Sequence, residues 1–449
     1  MKPPPVSAAT TASLYRREIA RFNDSHPESL RQHRLANAHF LYGVPLHWMR
    51  DWPSPSPLFL RHAQGSRLQC VDGLDYDDFC LGDTGAMFGH APPAVADALN
   101  LRTGYTAMLP SALTASIGDK LARLFGLPMW QLATTASDAN RFVIRWARAI
   151  TGRNKILVFD GCYHGTVDDT LVDHQDGRTV ARASLLGQAA DLTQHTVSIP
   201  FNDLAALEAA LASNDIALVL TEPALTNCGM VLPQPGFLEG LRAATKARGT
   251  LLAFDETHTL STAWGGYTRA CGIQPDWLVA GKAIAGGVPC AVYGFSAEVA
   301  QRMRDAKAKA APGHSGIGTT LAGGELAMQA LAASLEHVNT PAAYEHAISV
   351  AQGLAQGLEE IVRGQGLPWC VTRLGARLEL QFCPQPPQDA AAAAHAADDA
   401  LAATLHLGLL NRGSLLTPFH NMMLAGPTTD HGQVARLLAH FADLLTELA

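Results

Sequence analysis

The segment Trp277-Leu278-Val279-Ala280-Gly281-Lys282-Ala283-Ile284-Ala285-Gly286-Gly287 decides how this chain is read. Its four leading apolar residues have the length of a buried strand. The run stops at Gly281-Lys282, and a glycine pair follows. A lysine at such a place is costly, because desolvation disfavours its charged form. Of the seven lysines (Lys2, Lys120, Lys155, Lys246, Lys282, Lys307 and Lys309), only Lys282 lies between a strand-like run and a glycine pair. It reads either as a snorkelling side chain with its head in water or as a nucleophile for carbonyl chemistry.

Working outward, further short apolar runs occur at Ile156 to Phe159, Ile216 to Leu220, Leu251 to Phe254 and Ala291 to Phe295. Amphipathic stretches such as Leu204 to Leu211 and Phe237 to Lys246 lie between them. Buried strands alternating with helices make a mostly parallel sheet covered on both faces, and such sheets carry their sites at the carboxyl ends of strands. Asp255-Glu256 ends one run, 27 residues before Lys282. A carboxylate there reads as a metal ligand, a helix cap or a partner for a cationic ring nitrogen. Thr134-Thr135-Ala136-Ser137-Asp138-Ala139-Asn140 opens a helical pattern and reads as an anion cradle or a plain cap. Cys162-Tyr163-His164-Gly165 follows another run, and Tyr163 reads as a ring-stacking group or a solvent-side tyrosine. Thr221-Glu222-Pro223 and Asn227 follow a fourth.

Composition narrows the class. The 449 residues are 48% hydrophobic and 16% charged, which suits a globular protein with more than one core. The net charge is −7 with no basic stripe, so nucleic acid is not an expected partner. Eight cysteines form no C-x-x-C pair and no zinc-spaced cluster with histidine, so no metal is expected and the thiols read as free. Met1 to Leu14 has no apolar signal-peptide core, and no apolar run of 18 residues is present; a soluble, cytoplasmic protein without a membrane partner is expected. Beyond the sheet region, helical patterns cover Leu321 to His337, Tyr344 to Arg363 and the Ala-rich stretch Ala390 to Leu407, with a strand-like segment at Val371 to Phe382.

A lysine, a carboxylate and an anion cradle at strand ends are together what pyridoxal phosphate requires. With Thr151-Gly152-Arg153-Asn154-Lys155-Ile156-Leu157, Gly161-Cys162-Tyr163-His164-Gly165, Glu222-Pro223, Phe254-Asp255-Glu256 and Gly281-Lys282 in this order, the chain resembles the class III pyridoxal-phosphate aminotransferases. The likeness runs from about residue 40 to 445 and is strongest to the glutamate-1-semialdehyde 2,1-aminomutase branch.

That resemblance implies an α/β, fold type I subunit, with a large, mostly parallel seven-stranded sheet domain over 70–325. A small α+β domain combines 1–69 with 326–449. It implies pyridoxal 5′-phosphate held between them, with Lys282 as the Schiff-base lysine and Asp255 beside the pyridinium nitrogen. Tyr163 and Thr257 cover the two ring faces, Asn227 meets the phenolic oxygen, and Ala136 and Ser137 take the phosphate. Thr320 reaches the phosphate of a neighbouring copy, which implies a homodimer with shared sites. Arg50 matches a clamp for a substrate carboxylate. Asp83 stands where the aminomutase branch has an aromatic, and Thr417-Pro418-Phe419-His420-Asn421-Met422-Met423 lacks the glutamate of that branch. The segment Thr257-His258-Thr259 also differs from it, and these departures touch the substrate pocket, leave the cofactor core intact and argue against a true glutamate-1-semialdehyde aminomutase. Asp83 and His164, together with His258 and His420, are expected as polar groups on the substrate side. The leading expectation is an aminotransferase using a small amino acid or related amine and a keto-acid acceptor. The alternative is a racemase, aminomutase or ammonia-lyase on the same scaffold, because one fold hosts all of these.

Overall fold

The computed structural model describes residues 6–100 and 104–448. The chain divides into two compact units. The sheet unit takes Pro93–Ala342 and Pro387–His395; the terminal unit takes the chain up to Pro92, Ala343–Pro386 and the chain from Ala396 onward.

In the sheet unit seven strands form one sheet: β1 (Met129–Ala133), β2 (Lys155–Phe159), β3 (Thr196–Ile199), β4 (Ile216–Thr221), β5 (Leu251–Asp255), β6 (Trp277–Ala280) and β7 (Ala291–Phe295). Their spatial order is β1-β7-β6-β5-β4-β2-β3. Neighbours from β6 to β3 run parallel. β7 is antiparallel to both β6 and β1, so β1 runs the same way as the other five. This is the α/β, mostly parallel seven-stranded sheet expected from the sequence. The runs at β2, β4, β5, β6 and β7 were legible because every residue of the last four is buried. β1 and β3 were not recognised. They are the two edges of the sheet, where a short or half-exposed strand lacks a continuous apolar run.

Side chains alternate between the two faces with the strand period of two. Leu218, Leu220, Ala253, Trp277 and Val279 pack against helix α1 (Ala136–Thr151), through Ala139, Phe142 and Val143. On the opposite face Leu157, Phe159, Val219, Leu252 and Phe254 meet α2 (Leu204–Leu211) and α3 (Phe237–Ala247). Phe159, Phe201 and Phe237 form an edge-to-face cluster there, with ring centroids 4.7 to 5.6 Å apart.

The terminal unit has its own core, in which Leu14, Phe79, Leu354, Leu378, Leu437 and Phe441 are buried together. The segment expected as one strand over Val371 to Phe382 is a hairpin, Cys370–Leu374 and Arg377–Gln381, turning at Gly375 with φ +60°. The Ala-rich stretch is two helices, Ala390–Ala396 and Asp399–Leu410, because the Asp398 carboxylate accepts the Leu401 N–H and starts a new helix. Among the described residues, no helix is long and apolar enough to cross a membrane.

Phe237 is nearly fully buried against Phe159 and Phe201. Phe237→Ala is expected to cost about 3–5 kcal/mol through lost transfer energy and the cavity left behind. Denaturation midpoints of the two proteins measured side by side check this; an unchanged midpoint would refute the packing described.

Candidate active site

The carboxyl ends of six co-directional strands share one edge of the sheet. Along it the chain presents, in order, Thr134 to Ser137 after β1, Lys282 after β6, Asp255 at the end of β5, Glu222 after β4 and His164 after β2. Residues far apart in sequence meet there because parallel strands bring every crossover back to the same side.

Asp255 is 3% exposed. Its Oδ2 accepts from Nδ1 of His164 at 3.0 Å and from Nδ2 of Asn140 at 2.8 Å. Its Oδ1 accepts the Thr257 N–H at 3.1 Å. Burial works to raise this carboxyl, but the His164 bond and charge, with Thr257 and Asn140, outweigh it and hold it well below the ordinary carboxylate range. Burial likewise disfavours a charged His164, yet the Cys162 thiol and Asp255 on its two sides raise it. Expected on the substrate side, His164 is instead sealed in, with a side-chain exposure of 0%. The correction has a physical reason: the buried carboxylate needs a donor more than the pocket needs a polar wall.

Glu222 is a second buried carboxyl. Thr226 donates to it through Oγ1 at 2.5 Å and N at 3.2 Å, and Asn227 Nδ2 lies 3.2 Å away. Burial pushes it up to about 7, and the nearby Asp255 charge adds to this against the pull of Thr226 and His164. Asn227 is thereby oriented by a carboxyl rather than by solvent.

Lys282 is half-buried and has φ +48°. A lysine in the left-handed region costs of order 1 kcal/mol or more, and the surrounding structure must impose it. Its Nζ lies 2.8 Å from Nε2 of His258. Gly281 before it allows close approach: a Cβ there would lie 2.8 Å from Cβ of Ala136. At Gly165 (φ +85°) a Cβ would overlap the Ser137 hydroxyl. The two glycines therefore converge on the first residues of α1. Thr135 caps that helix, its Oγ1 accepting from Asp138 N at 3.1 Å. Ser137 Oγ accepts the Thr166 N–H at 3.1 Å, which leaves its hydroxyl hydrogen to donate.

Tyr163 is 43% exposed beside the buried His164. Thr320 is exposed, next to Thr319, whose hydroxyl is 3.2 Å from that of Thr134. Thr257 is buried, with its N–H on Asp255. Arg50 and Asp83 belong to the terminal unit. There the Arg50 guanidinium lies 4.2 Å from the Tyr42 ring centroid and 3.3 Å from Asp51. Asp83 is half-buried with φ +48°. Sequence reasoning overlooked Asn140, although an asparagine among Ala139, Phe142 and Val143 on the buried face of a helix is a usable signal. It treated Glu222 only as part of a motif.

The donor set suits pyridoxal 5′-phosphate. An ionised buried carboxylate complements a cationic ring nitrogen, a helix N-terminus complements a phosphate, and a lysine beside them complements an aldehyde. Among the described residues no group of three or more His, Cys, Asp or Glu side chains is arranged to hold a metal ion.

Comparison with known proteins bears on the same point. Residues 49–421 match the family model of class-III aminotransferases. A glutamate-1-semialdehyde 2,1-aminomutase of Sorangium cellulosum is 36% identical over 370 residues, covering 81% of this chain and 83% of its own. The crystal structure of a glutamate-1-semialdehyde-aminomutase from Pseudomonas aeruginosa PAO1 superposes with a TM-score of 0.96 at 46% identity, covering 99% of each chain. A lysine-to-alanine variant from the same organism, in complex with PMP, superposes with a TM-score of 0.97, again at 46% identity and over 99% of each chain.

The Glu222 proton has a measurable consequence. Its folded-state value of about 7 lies above the ordinary 4.5, so the folded chain holds this proton more tightly than the unfolded chain. The stability it contributes is complete below the ordinary value and is lost as pH rises through about 7. Glu222→Gln removes this titration. Between pH 4.5 and 7 the wild type is expected to lose denaturation midpoint relative to the variant; parallel pH profiles would refute it.

Proposed function

We propose that this chain, which belongs to the class-III aminotransferase family, is a pyridoxal-phosphate-dependent aminomutase that shifts an amino group between neighbouring carbons of a small amino aldehyde. Its cofactor is pyridoxal 5′-phosphate. The observation that carries the reading is the single edge at which Lys282, Asp255 and the N-terminus of α1 stand together. The expectation of an external keto-acid acceptor gives way to the aminomutase alternative. The relatives at 36% and 46% identity are named for a 2,1-shift or for aminomutase activity on glutamate 1-semialdehyde, and a substrate of that type is proposed here.

When bound, the cofactor supplies an electron sink for negative charge at the amine-bearing carbon. The chain supplies the rest. Lys282 is the attachment point and the base that lifts and returns the proton at that carbon. Asp255, kept ionised by His164, Asn140 and Thr257, holds the ring nitrogen. The Ala136 N–H and Ser137 hydroxyl hold the phosphate, and Asn227, set by Glu222, meets the phenolic oxygen. Thr257 and Tyr163 bound the ring faces. Arg50 and Asp83 are the proposed substrate contacts. A homodimer is proposed, with Thr320 of the partner subunit completing the phosphate site. In support, Thr320 is exposed, as are Tyr105, Met108, Leu109 and Leu321 of the same unit.

Two measurements test this. Borohydride treatment of the cofactor-loaded protein followed by peptide mapping is expected to place the reduced cofactor on Lys282, and Lys282→Ala to lower turnover by about 10²–10⁴-fold; a label elsewhere sinks the assignment. The loaded enzyme is also expected to convert glutamate 1-semialdehyde to the isomeric amino ketone with no keto acid added. Turnover that strictly requires pyruvate or 2-oxoglutarate, with no amino ketone formed, would replace the mutase by a transaminase.

A further inference from the structure

Glu222 is 1% exposed and accepts three hydrogen bonds. Thr226 donates through N to Oε1 at 3.2 Å and through Oγ1 to Oε2 at 2.5 Å. Asn227 Nδ2 donates to Oε1 at 3.2 Å and also to Thr226 Oγ1 at 3.3 Å. This set suits a carboxylate, which only accepts. The nitrogen end of the Asn227 amide therefore points at the Glu222–Thr226 pair, and Oδ1 is the end turned the other way. The loop holds these groups in place: Leu225 and Val231 exchange both backbone bonds, at 3.0 and 2.9 Å, and close the segment between them.

The same carboxyl is close to half protonated at neutral pH. Burial pushes it up to about 7; the Thr226 bonds and the His164 charge work against this, and the Asp255 charge adds to it. His164 and Asp255 come from the strands on either side, after β2 and on β5. Held at about 10 and about 2, neither changes charge near neutral pH. A protonated carboxyl must donate as well as accept. The Thr226 N–H is fixed by the backbone and does not reverse. A hydrogen on Oε1 goes to Asn227 Oδ1 once the amide has turned over. A hydrogen on Oε2 goes to Thr226 Oγ1, whose own hydrogen passes on to the same turned Oδ1. Either way the amide reverses, and Nδ2 becomes the outward end.

We infer that Glu222 is a positioning residue whose proton decides which end of the Asn227 amide meets the phenolic oxygen of the cofactor. With Glu222 protonated, the amide donates an N–H and favours the phenolate. With Glu222 ionised, the amide presents a carbonyl, and the phenolic oxygen must carry a hydrogen to meet it. That hydrogen comes from the imine nitrogen of the same cofactor: an N–H bond breaks, an O–H bond forms, and the net charge of the cofactor is unchanged. Phenolate therefore falls as pH rises, opposite in sign to an ordinary phenol losing its proton. This rests on the reading of Lys282 as the attachment point and of Asn227 as the contact of the phenolic oxygen.

The test uses the cofactor-loaded full-length protein without substrate. The phenol and phenolate forms of the bound cofactor absorb in separate bands, and their ratio is followed as pH rises through about 7. In the wild type the phenol-to-phenolate ratio is expected to rise about tenfold from the acid to the alkaline side, the size of one net hydrogen bond to a charged oxygen. Glu222→Gln removes the titrating proton, and Asn227→Ala removes the amide but leaves Glu222; both are expected to flatten the ratio. In Asn227→Ala the pH dependence of the denaturation midpoint is expected to persist, because Glu222 still titrates. Circular dichroism reports folding, so a variant that misfolds is recognised and the other carries the test. A ratio that does not rise in the loaded wild type, or that rises equally in a folded variant, overturns the inference. Borohydride mapping reads attachment separately. Absence of cofactor at Lys282 overturns the functional reading and this inference with it, whereas a loaded protein with a flat ratio overturns this inference alone.

Discussion

Asp255 keeps its charge where a carboxylate has almost no water, and the rest of the site is organised around that fact. Burial alone would neutralise it; the donors His164, Asn140 and Thr257 prevent this. Each of those donors fixes something else. Asn140 also donates to the His164 carbonyl at 3.0 Å, so the loop after β2 is tied to the end of β5 through one amide. That loop continues into Gly165, which lies against Ser137. Ser137 and Ala136 begin α1, and Ala136 lies against Gly281, next to Lys282. The contacts run in a ring from the carboxylate to the helix N-terminus and back to the lysine. Loss of a donor would leave a buried charge partly unpaired, which costs more than the net gain from the bond itself.

This ring explains what was legible in the sequence and what was not. Lys282 and Asp255 were legible because each ends a run of wholly buried residues, and a charged group there is anomalous on energetic grounds alone. The central strands were legible for the same reason. The edge strands β1 and β3 were not: half-exposed positions dilute the apolar signal in β1, and Thr196 and Ser198 interrupt it in β3. His164 was noticed, but its side was misjudged: nothing local in Cys162-Tyr163-His164-Gly165 says which of two adjacent aromatic rings turns inward, and only the position of Asp255 decides it. Asn140 needed the helix face to be known first. The pairing of His258 with Lys282 spans 24 residues and depends on two turns whose geometry no periodicity encodes.

The residues proposed to hold the cofactor and several of those that differ from the aminomutase pattern fall in different units. Asp255, Lys282, Asn227, Thr257, Ala136 and Ser137 all belong to the sheet unit, whereas Asp83 and the 417–423 segment belong to the terminal unit. The segment Thr257-His258-Thr259 also differs from the pattern but belongs to the sheet unit, where His258 Nε2 lies 2.8 Å from Lys282 Nζ. Racemase and transaminase chemistry diverge in where a proton is delivered after it leaves the substrate carbon, a mutase must in addition return the amino group to the neighbouring carbon of the same substrate, and the fold alone selects none of these.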